Sequence, residues 1–175
     1  MQINLSELLT VNGKSKQYEA TLDMDKFRCN AGQFSVVHKQ PVQINITHTG
    51  NRKLIIDCEC KLSVEFPCDR CLKPVIHQFE LSFDRDVDLE VTEEERLEAL
   101  DEQSYINGYN LDVDQLVYGE LIVNMPMKVL CSDSCKGICN RCGINLNFES
   151  CHCDDTELDP RMSVIRDIFN NFKEV

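Results

Sequence analysis

The stretch Ile56-Asp-Cys-Glu-Cys-Lys-Leu-Ser-Val-Glu-Phe66 alternates apolar and polar side chains along its whole length. A period of two is typical of a β-strand that buries one face and leaves the other in water. We therefore predict a strand over residues 56–66. Cys58 and Cys60 fall on its apolar face, which predicts that they are small buried core residues.

Two neighbouring segments follow the same pattern. Residues 42–46 alternate as Val-Gln-Ile-Asn-Ile, and residues 75–91 alternate with one mismatch at Arg85, which indicates either a bulge or a break between strands. The segment Pro67-Cys-Asp-Arg-Cys-Leu-Lys-Pro74 between two of these strands has the composition of a turn. The pattern predicts a hairpin with a Cys-x-x-Cys sequence at its tip.

Helical signals follow the strands. Thr92 with Glu95 forms a capping box, residues 113–122 repeat at helical spacing between Asp112 and Pro126, and Asp159-Pro160 precedes an apolar stripe over 162–172. The predicted fold is α+β, an antiparallel sheet or partly closed barrel with packed helices. We expect one domain over residues 1–175, with a β-rich part (1–91), a helical part (92–126) and a cysteine-rich zinc-binding tail with a C-terminal helix (127–175).

The net charge of −12 is unevenly distributed. Residues 84–102 carry ten acids against two arginines, whereas residues 26–56 contain no acid. The acidic total disfavours a protein that coats nucleic acid through bulk charge and suits a basic partner. Seven cations are the candidates for contact with RNA or a partner: Lys26, Arg28, Lys39, Arg52, Lys53, Lys136 and Arg141.

No secretory signal and no long apolar run occur in the sequence, which predicts a cytoplasmic protein with reduced thiols. Eleven cysteines in that setting indicate metal ligands or core residues before disulfides. Six of them lie within residues 131–153, and Cys68 and Cys71 form a further pair. Zinc binds four ligands in a tetrahedron, and thiolates serve it well.

Two zinc sites account for eight of these cysteines. The favoured first site holds Cys139, Cys142, Cys151 and Cys153, and the favoured second site holds Cys68, Cys71, Cys131 and Cys135. The alternative is a single tail zinc that uses Cys135 instead of Cys151 and leaves the hairpin pair as free thiols. His77 and His152 are weaker candidate ligands. Four filled thiolate positions leave no open site for water, so the zinc, one or two ions, is expected to be structural.

No catalytic motif is present: the sequence contains no glycine-rich phosphate loop, no Gly-x-Ser-x-Gly and no His-Glu-x-x-His. We therefore expect a protein that is not an enzyme. Two alternatives stay open, a zinc-ribbon regulator that binds nucleic acid and a thiol redox protein that uses Cys68 and Cys71.

The tail runs Cys131-x3-Cys135-Lys-Gly-Ile-Cys139-x2-Cys142-Gly-x-Asn-Leu-Asn, then Cys151-x-Cys153 and Asp159-Pro160-Arg161. Together with Cys68-Asp-Arg-Cys71-Leu, this pattern resembles the YceD family, in its cysteine-rich branch. The resemblance implies a role in accumulation of 23S-type ribosomal RNA and in large-subunit assembly. It implies a ribosomal protein or a large-subunit rRNA precursor as the partner, with no small-molecule substrate and no membrane.

Overall fold

The computed structural model describes residues 1–91 and 103–153. Nine β-strands and one α-helix lie in these two ranges, and a short 3-10 turn covers Leu8–Thr10. The strands are β1 (Gln2–Asn4), β2 (Ser15–Ala20), β3 (Lys26–Cys29), β4 (Gly32–Lys39), β5 (Val42–Gly50), β6 (Lys53–Pro67), β7 (Pro74–Asp88), β8 (Ile106–Asn107) and β9 (Asn110–Asp112); the helix is α1 (Val113–Val123).

Strand β6 organises the larger sheet, in which all pairs are antiparallel. Along one edge it pairs with β7 in fifteen consecutive positions, from Lys53 opposite Asp88 to Pro67 opposite Pro74. Along the other edge it pairs with β5 in its first half and with β4 in its second half. Strands β2 and β3 extend these two branches, which gives the order β2-β5-β6-β4-β3 with β7 on the opposite side of β6.

The core lies on one face of this sheet. The inward residues of β6, including Ile56, Cys58 and Cys60, are at most 2 % exposed, which confirms the alternation in the sequence and the core position of both cysteines. A second, three-stranded sheet in the order β1-β9-β8 packs its apolar residues into the same core. Helix α1 closes the core with its buried residues Val113, Leu116, Val117 and Leu121.

The local signals around α1 are confirmed. Asp112 is the N-cap, and its carboxylate accepts hydrogen bonds from the backbone N–H groups of Asp114 and Gln115. The helix ends at Val123, shortly before Pro126. The predicted packed helices are overstated, because the described residues contain only this one α-helix. The sheet is open rather than a closed barrel, since two strands share one edge of β6 in succession and the sheet branches there.

Arg85 marks neither a bulge nor a break. The β6–β7 register continues through it, opposite Ile56, and the Arg85 guanidinium donates to the Glu120 carboxylate on α1. An inward cation is tolerated here because the helix supplies its counter-charge. The capping box at Thr92 and the helix predicted after Asp159 lie outside the described residues.

Candidate metal centres

The β6–β7 hairpin tip forms a tight turn around its two cysteines. The Cys68 N–H donates to the Lys73 carbonyl, and the Leu72 N–H donates back to the Cys68 carbonyl. Leu72 adopts the left-handed conformation, with φ at 60°, which lets the chain reverse within so few residues. The Cys-x-x-Cys sequence predicted for this tip therefore lies on a rigid support, the end of the longest strand pair.

The tail runs beside the hairpin tip and is tied to it by hydrogen bonds. Asp69 and Val129 exchange two of them, one between backbone groups at 2.9 Å and one from the Val129 N–H to the Asp69 carboxylate at 2.6 Å. The Arg70 guanidinium donates to the Cys135 carbonyl at 2.7 Å, and the Arg70 carbonyl accepts from the Ile138 N–H at 3.1 Å. These bonds bring together two parts of the chain that are 60 or more residues apart in sequence.

The buried cluster consists of Cys68, Cys71, Cys131 and Cys135. Their four Sγ atoms lie within 4.8 Å of one another. Cys68 and Cys135, with 0 % and 2 % exposure, are 3.9 Å apart, and Cys71 and Cys131 are 3.5 Å apart. The Asn147 amide donates to the Cys135 sulfur at 3.4 Å, and the Cys131 N–H donates to the Cys68 sulfur at 3.4 Å. Donors aimed at sulfur are typical of a site that holds thiolates.

The exposed cluster consists of Cys139, Cys142, Cys151 and Cys153, whose Sγ atoms also lie within 4.8 Å of one another. Two are half-buried and two are exposed. The Cys139–Cys142 turn closes with the Gly143 N–H donating to the Cys139 carbonyl at 3.0 Å, and Gly143 has a φ of +73°. Glycine suits this position because the left-handed region carries no steric cost for it.

The thiols within each cluster ionise unevenly. Burial of Cys68 opposes ionisation, but backbone N–H groups of Arg70, Cys71 and Cys131 outweigh it and lower the pKa of its thiol to about 6. Hydrogen bonding of Cys131 to Cys71 and then to Cys135 raises the pKa of the Cys131 thiol to about 12.

The exposed cluster shows the same contrast. The N–H groups of Cys142 and Arg141 lower the Cys139 pKa to about 6, whereas hydrogen bonding to Cys151 and Cys142 raises the Cys153 pKa to about 12. In each cluster a thiol that ionises easily therefore lies beside one that resists ionisation: Cys68 beside Cys131, and Cys139 beside Cys153. A divalent cation among the four sulfurs would favour the thiolate form of each of them.

The two donor sets fit a tetrahedral ion. Four sulfurs at about 2.3 Å from zinc are about 3.8 Å from one another, which falls inside the range of separations in both clusters. All eleven cysteines are free thiols. Each cluster could therefore hold one metal ion. The Cys135 sulfur lies in the group with Cys68 and Cys71, as in the two-site arrangement. It is not in the group that contains Cys151, where the single-zinc alternative would need it.

One protein-family model matches the part of the chain that contains both clusters. The model of "Large ribosomal RNA subunit accumulation protein YceD" matches residues 56–169, which include most of β6, all of β7 and both clusters. The chain belongs to the YceD family. No curated protein and no solved structure matches it. Within the described residues, this family member has no helix that is long and apolar enough to cross a membrane.

The histidines lie outside both clusters of this YceD-family chain. His77 is half-buried on β7, and its ring packs against Phe79 and Phe66 at centroid distances of 4.8 and 6.3 Å. His152 is exposed, and neither ring belongs to a group of metal-ligand geometry among the described residues. Cys29 is half-buried, with its sulfur 3.6 Å from that of Met125.

The seven candidate cations lie in separate parts of the structure. Lys26 on β3 lies opposite Ser35 on β4, and Ser35 lies opposite Glu65 near one end of β6. Arg52 and Lys53 lie at the other end of β6. Twelve residues of strand separate these ends, roughly 40 Å at about 3.3 Å per residue. These cations therefore do not share one surface.

Two of the predicted cations are engaged with acids. Lys39 pairs with Asp25 at 2.8 Å, and Lys53 pairs with Asp88 at 3.2 Å. Arg28 is exposed next to Lys26 on β3, and Lys136 and Arg141 lie in the loops that carry the cysteines. Four cations of this set are exposed and form none of the salt bridges of the described residues: Lys26, Arg28, Arg52 and Lys136.

Three residues that support the buried cluster were not predicted as site residues. Asp69 and Arg70 hold the tail against the hairpin, and Asn147 donates to Cys135 while its side-chain oxygen accepts from the Lys136 N–H at 2.8 Å. The one signal in the sequence was position: Asp69 and Arg70 are the two residues between the hairpin cysteines. Their partners are more than 50 residues away, so spacing alone did not reveal them.

Proposed function

We propose that this chain is a non-catalytic factor that supports accumulation of 23S-type ribosomal RNA and assembly of the large ribosomal subunit in the cytoplasm. The observation that carries the proposal is the family match over residues 56–169. The factor would act by binding a ribosomal protein or a large-subunit rRNA precursor. The net charge of −12 supports a basic partner and speaks against a free-standing nucleic-acid-binding regulator.

We propose zinc as the metal in both clusters. All-thiolate sets of four favour zinc or iron–sulfur centres over hard cations, and they leave no coordination position for substrate or water. The buried cluster would fasten the tail to the hairpin, and the exposed cluster would shape the loop from Cys139 to Cys153. A thiol redox role is less well supported, because four thiols converge on each place instead of two.

The role of the zinc can be tested by hydrogen exchange. Few large apolar side chains lie in the tail, so metal binding would supply much of its folding free energy, on the order of 10 kcal/mol for a structural site. Stringent metal removal should abolish amide protection over residues 127–153 and leave β5, β6 and β7 protected. Unchanged protection in the tail would contradict a structural zinc.

The role in assembly can be tested by affinity purification of the full-length chain from its own cells at low salt. We expect large-subunit rRNA precursors or large-subunit proteins in the recovered material, and a decrease of 23S-type RNA when the chain is depleted. A chain with both Cys68 and Cys142 replaced by serine is the matched control, because it removes one ligand from each cluster. Recovery of neither ribosomal protein nor rRNA would refute the proposal.

A further inference from the structure

Strand β7 leaves one long edge open in the part of the chain that the structure describes. Its only partner there is β6, which pairs with it over fifteen residues. Natural edge strands are usually short, bulged or interrupted by proline or inward charge, because a free row of backbone groups attracts other strands. In β7 these features occur only at the ends, as Pro74 and the inward Arg85. We define residues 76–84 as the open edge.

The direction of the backbone groups along the open edge follows from the ladder. In an antiparallel pair, alternate residues turn their N–H and C=O groups toward the partner and away from it. The Leu89 N–H bonds to the Arg52 carbonyl, and the Lys73 carbonyl accepts from Cys68, so odd-numbered residues face β6. The Asp86 carbonyl instead accepts from the Gln103 side chain. Even-numbered residues such as Gln78, Glu80 and Ser82 therefore direct their backbone groups to the open edge.

The charge beside the open edge selects the occupant. The solvent face of β6 and β7 carries Asp57, Glu59, Asp84 and Asp86, and none of them forms an ion pair with a cation of the described residues. Asp57 lies directly opposite Asp84, a like-charged cross-strand pair that destabilises a sheet. Cationic side chains on an added strand would remove this repulsion.

The opposite face of the open edge is apolar. Phe79 and Leu81 are buried there, and Phe83 is half-buried. An added strand would therefore meet carboxylates on one face and aromatic and aliphatic side chains on the other. This combination suits a segment in which basic and apolar residues alternate. A second copy of the chain does not suit it, because each copy has a net charge of −12 and would bring its own Glu80 and Asp84 against the same acids.

We propose that the open edge of β7 binds an extended, lysine- or arginine-rich segment of a protein partner by adding it as a strand to the sheet. This inference rests on the proposed function, for which it names the surface and the chemistry of the partner. Backbone hydrogen bonds at the even positions of the open edge hold the segment, its basic side chains meet Asp84 directly, and Asp86 lies two residues beyond the edge. Asp57 and Glu59 lie one strand further, within reach of arginine.

The substitution Ser82→Pro tests the backbone bonds. Proline removes the Ser82 N–H at the open edge but no hydrogen bond to β6, so the sheet should keep its far-UV circular dichroism. The probe is a labelled peptide of about nine residues, alternating lysine and valine, which matches the length of the open edge. Its affinity for full-length Ser82→Pro should fall about tenfold or more, whereas Ser82→Thr should bind like the unchanged chain.

Two further arms keep the test independent of the variant's folding. A peptide N-methylated at alternate residues keeps its charge but cannot pair, and it should bind the unchanged chain at least about tenfold more weakly. Asp84→Asn should weaken binding about two- to fivefold at low salt, and Glu19→Gln, remote on β2, should not. Equal affinity of the parent and N-methylated peptides, or no binding at low salt, would overturn the proposal.

Affinity purification separates this inference from the proposed function. If Ser82→Pro and the unchanged chain recover large-subunit proteins and RNA equally, the open edge is not the docking surface, and the assembly role stands. If the peptide binds as expected but the unchanged chain recovers no ribosomal component, the strand-addition surface stands and the assembly role does not.

Discussion

Gly137→Ala tests the contact that joins the tail to the hairpin. Gly137 has a φ of +81°, and a Cβ atom placed on it would lie 3.1 Å from the Arg70 carbonyl oxygen and 3.4 Å from the Arg70 Cβ. An L-residue in the left-handed region loses about 1–2 kcal/mol, partly offset by the lower entropy of the unfolded chain. The crowded carbonyl belongs to the backbone and cannot rotate away, so the tail must move.

That movement weakens a specific hydrogen bond. The Ile138 N–H donates to the same Arg70 carbonyl, and a bond of this kind contributes about 0.5–1.5 kcal/mol. With a net cost of about 1 kcal/mol for the left-handed conformation, the total expected loss is about 1.5–2.5 kcal/mol. Because folding of the tail and metal binding are linked, the loss corresponds to a roughly 10- to 70-fold lower zinc affinity of the buried cluster.

Gly143→Ala is the matched control. Gly143 has a similar φ of +73°, but no atom lies within 4 Å of the added Cβ. Gly143→Ala should therefore cost only about 1 kcal/mol, which corresponds to a roughly fivefold lower zinc affinity. Competition with a chromophoric chelator measures both variants. Equal effects of the two substitutions, or no effect of Gly137→Ala, would refute the inference that close contact with Arg70 supports the buried cluster.

Three further predictions concern the two clusters, the core thiols and the helix cap. A chelator should remove metal in two phases, the faster from the exposed cluster, and Cys153→Ser should abolish the faster phase; a single phase would contradict the difference in burial. Burial raises the pKa of the Cys58 thiol to about 12, while an unfolded thiol ionises near 9. Between about pH 9 and pH 12 the Cys58 thiol is therefore ionised in the unfolded state but protonated in the folded state. The free energy of unfolding should consequently decrease as the pH rises above about 9, and Cys58→Ala should reduce this pH dependence in denaturant titrations. Asp112→Ala should lower the free energy of unfolding by about 1 kcal/mol through loss of the α1 cap, which an unchanged denaturation midpoint would disprove.

Local patterns predicted the strands that are long and half-buried. The alternation over residues 56–66 corresponds to β6 because each of its apolar positions faces one core. Strands β2 and β3 were not predicted, because both are short and only the last residue of β2, Ala20, is fully buried. The segment around Gly108 forms a small hairpin, β8 and β9, and β1 from the other end of the chain pairs with it. Such long-range pairing leaves no local periodicity.

Spacing predicted the cysteine pairs but not what brings the pairs together. Cys-x-x-Cys at residues 139 and 142 is visible as a local turn, whereas the meeting of Cys68 with Cys135 depends on the hydrogen bonds of Asp69 and Arg70 to a remote segment. Arg85 shows the same limit. Its charge looked like an interruption of β7 because its partner, Glu120, lies on a helix 35 residues away.

Zinc content per chain, measured by elemental analysis of the full-length protein with two single-ligand variants, tests the central claim most directly. Two independent centres predict two zinc ions in the unchanged chain and one in each of Cys68→Ser and Cys142→Ser. They also predict that only Cys68→Ser releases the tail from the hairpin, seen as lost amide protection at Val129 and Ile138. A zinc-free chain with full protection at those two amides would contradict the account.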